Sequence, residues 1–294
     1  MKLSILIPEF NQMCFPLAFE LHKQCMEEQV EFEILVADDA STNMSVVADN
    51  RRIGELECAT FLEEKTHRGR AALRNHLVEK AQGEFLLFAD SDAIVPDSFY
   101  IRRYLNVLEE GKVVYGGVIH RSEEKGEGSL RLRYELHCDR RFTLAYRKEH
   151  PYQHLRTLNI VLPASIAHQF PFDESIQLYG YEDTLLGRDW EKAGIEILHI
   201  ENPLLDADME CNEIFLHKTE EALHTLHELG DRMESYSALL DLHKTFQKWH
   251  LTNSLRFFFS ILESPIRKNL LGKNPQIWLF QFYKLGYYSK ISIK

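Results

Sequence analysis

The stretch GEFLLFADSDAIVP, residues 83–96, decides how this chain folds. Phe85, Leu86, Leu87, Phe88 and Ala89 form an unbroken apolar run, opened by Gly83 and closed by polar residues and Pro96. Such a run fits a central strand with both faces covered. It leads directly into Asp90-Ser91-Asp92. Two carboxylates at the open end of a buried strand are costly without a counter-charge. They point to opposite faces if the strand continues and converge if the chain turns. Converging, they offer hard oxygens to a divalent cation, and Mg2+ takes one or two carboxylates together with substrate phosphates. The plain alternative is a solvated turn that caps the next helix.

On the N-terminal side of this stretch, strands and helices alternate. Residues 2–8 (KLSILIP) read as a strand, followed by the loop EFNQM and a helix over 14–29. Residues 32–37 (FEILVA) are a second strand ending in Asp38-Asp39, and 45–54 are helical. A third strand at 59–63 and a helix at 70–82 complete the pattern, with Gly83 as the helix stop. This alternation predicts a parallel, doubly wound sheet. Right-handed connections then bring Pro8-Glu9-Phe10-Asn11, Asp38-Asp39 and Asp90-Ser91-Asp92 to one edge, where such sheets bind ligands.

Beyond Pro96 the reading gives a helix to about 110, a strand at 112–120 and a charged, partly helical excursion over 121–156. An apolar segment at 157–163 follows. In FDESIQLYGYEDTLLGRDWEKAG (172–194) the second half is helical, with Leu185, Leu186, Trp190 and Ala193 at helical spacing. A strand at 195–200 and a helix at 210–229 follow. His217, His224 and His227 share that last helix; without an accompanying cage of Cys or acids they read as a solvated face rather than a zinc site.

The chain has 294 residues, a formal charge of −11 and 45% hydrophobic residues. That is enough for a proper core, and the charge excludes a general basic surface for nucleic acid. Five scattered cysteines without a C-x-x-C pair fit a reducing compartment. A first strand at Lys2 leaves no room for a leader, and no apolar run is long enough to span a bilayer. The charge is uneven. Residues 242–294 hold nine cations against Glu263, a net of +8, which leaves −19 elsewhere. The same segment is rich in aromatic residues, including Trp249, Phe257-Phe258-Phe259 and Trp278. Basic aromatic helices lie in anionic bilayer interfaces; alternatively, this tail packs on the body or on a second copy as a homodimer.

Four stretches, in order, resemble the family 2 nucleotide-sugar glycosyltransferases of the GT-A fold. They are SILIPEFN, EILVADDAST, GRAALRNHLVEKAQGEFLLFADSDA and FDESIQLYGYEDTLLGRDWEKAG. The resemblance covers residues 3 to about 220. It implies an α/β fold of GT-A type over 1–230: a Rossmann-like, mostly parallel sheet flanked by helices. Residues 231–294 lie outside the resemblance and read, from their charge and aromatic content, as a basic, mostly helical C-terminal extension. The resemblance implies an inverting transferase moving a sugar from a UDP-linked donor to a hydroxyl of a glycan or lipid-linked acceptor in surface polysaccharide synthesis. The protein would then be cytoplasmic and peripheral at the inner face of the membrane.

On that resemblance Pro8, Glu9, Phe10, Asn11 and Asp39 recognise the base, Phe10 by stacking and Asp39 by accepting the uracil imide N–H. Glu9 departs from the small hydroxyl residue common at its position. Arg68 and Arg74 approach the diphosphate. Asp90 takes the ribose hydroxyls or joins Asp92 in holding Mg2+ or Mn2+. Asp206 stands where the family often has a metal-binding histidine after Asn-Pro; a carboxylate there still suits either cation. Asp183 is the expected general base. Glu182, about 100° away on the helix, and Tyr179 serve the acceptor. Two other readings exist. One is a nucleotidyltransferase, disfavoured because EFNQM is not a glycine-rich basic loop. The other is a non-catalytic nucleotide-sugar or glycan-binding subunit with a degraded metal site.

Overall fold

A strand whose every side chain is apolar needs cover on both faces, and residues 85–89 have it: all five are buried. The computed structural model describes residues 2–120, 129–206 and 210–292. In order the elements are β1 (Lys2–Glu9), α1 (Phe15–Glu27), β2 (Glu31–Asp38), α2 (Met44–Asn50), β3 (Ala59–Glu63), α3 (Arg70–Lys80) and β4 (Phe85–Ala89). Next come β5 (Ala93–Ile94), α4 (Tyr100–Leu105), β6 (Lys112–Tyr115), β7 (Val118–Ile119), α5 (Leu130–Arg141) and α6 (Leu144–Glu149). Then follow β8 (Asn159–Pro163), α7 (Ala164–Gln169), α8 (Glu182–Ala193), β9 (Glu196–His199) and β10 (Leu204–Asp206). The last are α9 (Asn212–Leu229), α10 (Ala238–Lys248), α11 (Thr252–Leu270) and α12 (Ile277–Ile291).

The chain divides into two compact units. The first comprises Met1–Ile119, Phe142–Ser175 and Leu186–Asp208. Its sheet has the order β3-β2-β1-β4-β8-β6-β9. All pairings are parallel except those of β8, which runs antiparallel to β4 and β6. The mostly parallel sheet flanked by helices is the expected fold. Alternation along β1 sorts the two faces. Leu3, Ile5 and Ile7 pack with Leu17 and Leu21 of α1 and Ile101 of α4. Leu6 faces the other way, with Leu73 and Leu77 of α3 and with Leu186 and Trp190 of α8.

A second, three-stranded sheet has the order β5-β10-β7. Strands of two or three residues show no periodicity, and the sequence reading lacks β5 and β10. It also gives one strand over 112–120, where two are found. The break falls at Gly116-Gly117, with Gly117 at a φ of +93°. Gly116 has no room for a side chain: a Cβ there would clash with the carbonyl of Asn202, the Tyr104 hydroxyl and the Asn159 amide. Fully buried Asn159 ties this corner together. Its Oδ1 accepts from the hydroxyls of Tyr100 and Tyr104, each at 2.6 Å. Its Nδ2 donates to the carbonyls of Gly117 (2.6 Å) and Asn202 (2.8 Å). All its hydrogen-bonding capacity is therefore used, as burial demands.

The second unit comprises His120–Arg141, Ile176–Leu185 and Met209–Lys294. Leu216 of α9 packs with Phe259, Ile266 and Leu270 of α11 and with Phe280 and Tyr283 of α12. Gly286 lets α11 and α12 approach closely, since a Cβ there would enter the Phe259 ring. The sequence reading draws the catalytic domain over 1–230; in the structure α9 groups with the tail helices in one compact unit. The helical C-terminal extension is present as expected. Of the 121–156 excursion, 121–128 lie outside the described residues, and α5 and α6 account for its helical part.

Candidate active site

The parallel strands β1, β2 and β4 end at one edge, and the predicted residues of the first unit gather there. The Asp90-Ser91-Asp92 triplet turns rather than continuing. The carbonyl of Asp90 accepts from the Ala93 N–H at 3.1 Å, closing a four-residue turn. Beyond that turn β5 pairs antiparallel with β10, placing Asp206 directly opposite Ala93. Asp206, 5% exposed, is thereby brought beside the residue that follows Asp92. More than a hundred positions of sequence separate these acids, and a two-rung ladder joins them.

Asp90 has a different environment from the one its sequence position suggests. Its Oδ1 accepts from Arg74 at 2.9 Å and its Oδ2 from Arg70 at 3.3 Å. The Arg74 side chain is 1% exposed and its guanidinium lies 5.5 Å from the Phe172 ring centroid. Next to it, Asn75 clamps the Phe172 backbone, accepting from its N–H (2.9 Å) and donating to its carbonyl (3.0 Å). Asp90 and Arg74 thus compensate each other's charge in a largely dry place.

Among the described residues no cluster of three or more His, Cys, Asp or Glu side chains is gathered tightly enough to cage a metal. Asp92, which precedes Ala93, and Asp206, which stands opposite Ala93, are the acids whose place and chemistry fit such a cation. Two carboxylates with hard oxygens match what Mg2+ or Mn2+ takes from a protein when phosphates supply the rest.

Asp39 is 3% exposed. Its carboxylate accepts from the backbone N–H groups of Arg68 (2.6 Å) and Gly69 (3.0 Å) and meets His67 Nδ1 at 2.9 Å. It serves the N-terminus of α3 from across the edge, where Gly69 supplies no side-chain cap. A carboxylate has about four acceptor sites, so one more donor, such as an imide N–H, can be received. Phe10 is 48% exposed, its ring 5.0 Å from that of His67, and is no core aromatic. Pro8 is half-buried in β1 opposite Ala37. The Arg68 side chain pairs with Glu64 at 2.7 Å. Arg68 is the exposed partner and Glu64 the largely buried one, which His76 also meets at 3.1 Å.

Two predicted residues turn out to build the loops. Asn11, at a φ of +54°, accepts at Oδ1 from the N–H groups of Thr42 (2.9 Å) and Asn43 (2.8 Å). It staples the loop after β1 to the loop after β2. Glu9 is 2% exposed and stands opposite Asp38 in the β1–β2 ladder. Burial, reinforced by the Asp38 carboxylate, pushes its carboxyl up to about 7. Its Oε2 accepts from the Gln12 N–H at 3.1 Å. Asn50, which the sequence reading left aside, does the capping that Cys14 cannot. It accepts from the N–H groups of Cys14 (2.9 Å) and Phe15 (3.2 Å) and donates to the Gln12 carbonyl (2.9 Å).

The predicted acceptor residues belong to the second unit. Glu182, 8% exposed, and half-buried Asp183 form the first turn of α8, where acids are favoured. Ahead of them the backbone is forced: Gly180 has φ +94° and Tyr181 φ +68°. The Tyr179 carbonyl accepts from Thr225 Oγ1 at 3.0 Å, and Lys218 Nζ lies 5.4 Å from the Tyr179 ring centroid. Tyr179 is 38% exposed, whereas Tyr181 packs inward with Leu223, Leu226 and Met233. On the same α9, exposed His217 sits 3.6 Å from Glu221, and His224 meets the Tyr287 ring edge-on. Among the described residues neither joins a metal cluster.

Comparison with known proteins bears on the family and the fold. The chain is 29% identical over 113 residues to an uncharacterized glycosyltransferase of Haemophilus influenzae, covering 38% of this chain and 44% of that one. It is 30% identical over 112 residues to the poly(ribitol-phosphate) beta-glucosyltransferase of Bacillus spizizenii, covering 35% and 17%. The matched segment thus spans less than half the length of these curated relatives. In fold the chain is similar to the mannosyltransferase PcManGT from Pyrobaculum calidifontis, in complex with GDP-Man and Mn2+. The TM-score is 0.62 at 14% identity, over 99% of this chain and 86% of that one. It is also similar to S. aureus TarS 1–349 in complex with UDP-GlcNAc, with a TM-score of 0.52 at 18% identity over 99% and 90%. The family description "Glycosyl transferase family 2" matches residues 4–173, more than half of the sequence. The chain belongs to glycosyl transferase family 2.

Proposed function

We propose that this chain is an inverting glycosyltransferase. It moves a sugar from a UDP-sugar to a hydroxyl of a glycan or lipid-linked acceptor in surface polysaccharide synthesis, working in the cytoplasm at the inner face of the membrane. The observation that carries this reading is the β5–β10 pairing, which sets Asp206 beside the Asp90-Ser91-Asp92 turn. The relatives support it: TarS proteins act as poly(ribitol-phosphate) beta-N-acetylglucosaminyltransferases, and one is seen with UDP-GlcNAc.

In this reading the uracil stacks on Phe10, and Asp39 uses its remaining acceptor site for the imide N–H. Arg68 faces the diphosphate, while buried Arg74 acts through Asp90: with Arg70 it holds that carboxylate, which accepts from the ribose hydroxyls. Asp92 and Asp206 would hold Mg2+ or Mn2+, which when bound supplies Lewis-acid neutralisation of the leaving group. Tyr179 and Glu182 orient the acceptor. Asp183 takes the proton of the attacking hydroxyl. The oxygen bonds to the anomeric carbon as the bond from that carbon to the diphosphate oxygen breaks, and the electron pair leaves with UDP. One displacement inverts the anomeric centre, and no covalent enzyme intermediate forms.

The arginine clamp on Asp90 favours one rival, a nucleotide-sugar-binding subunit without transfer activity. A hydrolysis screen across UDP-glucose, UDP-GlcNAc and GDP-mannose in Mn2+ separates the two. The transferase reading predicts turnover of one UDP-sugar, abolished by a chelator. UDP binding with no donor hydrolysed and no transfer to any acceptor would favour the rival.

A further inference from the structure

Helix α11 has two apolar faces, and only one is used. Leu255, Phe259, Ile266 and Leu270 are buried. Phe257 (62% exposed), Phe258 (58%), Ile261 (58%) and Leu262 (42%) lie on the other side at spacings of three and four, which makes one continuous stripe. Four large side chains in contact with water on one helix are far more than scattered surface apolars need. Trp249 and Leu251 stand before the N-terminus of the helix, and Leu271 and Trp278 come after its end; all four are exposed. In sequence, exposed tryptophans flank the stripe on both sides, and tryptophan favours the boundary between hydrocarbon and water.

Charge decides what covers it. Lys248 precedes the helix, Lys268 sits in its last turn and Lys273 follows it. These three are exposed and make no ion pair among the described residues. Other cations of the tail are already used: Arg267 pairs with Glu220, and Lys290 with Glu263 at 2.8 Å. Glu263 is the one acid of α11 and is spent on that pair. A second copy meeting stripe to stripe would bring like charges together, which opposes association. No described helix is long and apolar enough to cross a membrane.

We infer that the outer face of α11 docks on an anionic bilayer, lying in its interface with Phe257, Phe258, Ile261 and Leu262 inserted. Lys248, Lys268 and Lys273 sit at the headgroups. Trp249 and Trp278 mark the depth. The helix, about 28 Å long, lies along the surface rather than across it. This inference does not depend on the transfer reading, since it rests on the second unit alone.

The test is sedimentation of the full chain with phosphatidylcholine vesicles, with and without phosphatidylglycerol. Binding is expected with phosphatidylglycerol, weakened by salt. A Phe257→Ser, Phe258→Ser, Ile261→Ser variant should bind more than about tenfold more weakly while keeping its thermal transition and its UDP affinity. If that variant does not fold, Lys248→Glu, Lys268→Glu, Lys273→Glu decides, because it touches no packed side chain. It should lose the preference for phosphatidylglycerol, by about fivefold per cation. Wild-type chain that ignores anionic vesicles overturns the inference. So does a serine variant that binds like wild type, or a dimer in sedimentation equilibrium that the serine substitutions dissolve.

Discussion

Replacing Asp183 by Asn lowers sugar transfer by about 10²–10⁴-fold, the contribution of a positioned general base, and leaves UDP affinity unchanged. The size of the effect separates catalysis from structure. Asp183 sits in the first turn of α8, where an acid also interacts favourably with the helix dipole. That interaction is worth only about 0.3–1 kcal/mol. Asn keeps the shape and loses only the charge, so the melting temperature should move little. Initial rates at saturating donor, with UDP titrations on the same sample, check this. A variant retaining a third of wild-type transfer would remove Asp183 from the role. A variant that melts much earlier would show that the acid matters for the fold.

Asp90→Ala is expected to act on stability first and on chemistry second. It leaves Arg74, 1% exposed, without the carboxylate that now faces it at 2.9 Å. Removing one partner of a buried ion pair costs about 3–5 kcal/mol. The Asp90 side chain is 22% exposed and Arg70 is also at hand, so a loss of about 2–3 kcal/mol, near and below the lower end of that range, is the figure to expect. For a chain of this size that lowers the melting temperature by roughly 4–12 °C. Arg74→Met together with Asp90→Ala should recover most of it, because no charge is then left buried alone. Thermal melts of wild type, both single variants (Asp90→Ala and Arg74→Met) and the double variant check the coupling. An Asp90→Ala protein as stable as wild type would mean that the clamp does not hold the site.

The edge of the sheet was legible because its signals are local. Apolar runs at β1, β2 and β4 each end in an acid or a polar loop, and alternating helices fix their direction. Asp90, Asp92, Asp39 and Phe10 could therefore be placed on one edge before any coordinates. The partners of those residues were not legible. Asp39 is held by backbone N–H groups of Arg68 and Gly69, and backbone donors leave no trace in residue type. Asn11 has a polar side chain in the right loop for a ligand, and nothing in the residue type says that its oxygen also joins two loops. The knot around Asn159 combines positions 100, 104, 117 and 202. No periodicity predicts such a hub, yet it fixes the Asn202-Pro203 bend from which β10 carries Asp206. The division of the chain was hidden for a similar reason. Helix α9 has an ordinary apolar stripe, and nothing in the stripe says which helices it will meet.

Calorimetric titration of UDP, with and without Mn2+, into wild-type chain and into Asp92→Asn and Asp206→Asn variants tests the central claim most directly. If acids at the turn and on β10 together hold a cation that meets the diphosphate, Mn2+ tightens UDP binding about tenfold or more in the wild type and has little effect in either variant. Equal UDP affinity with and without Mn2+ in the wild type, or a metal effect that survives both substitutions, would contradict it.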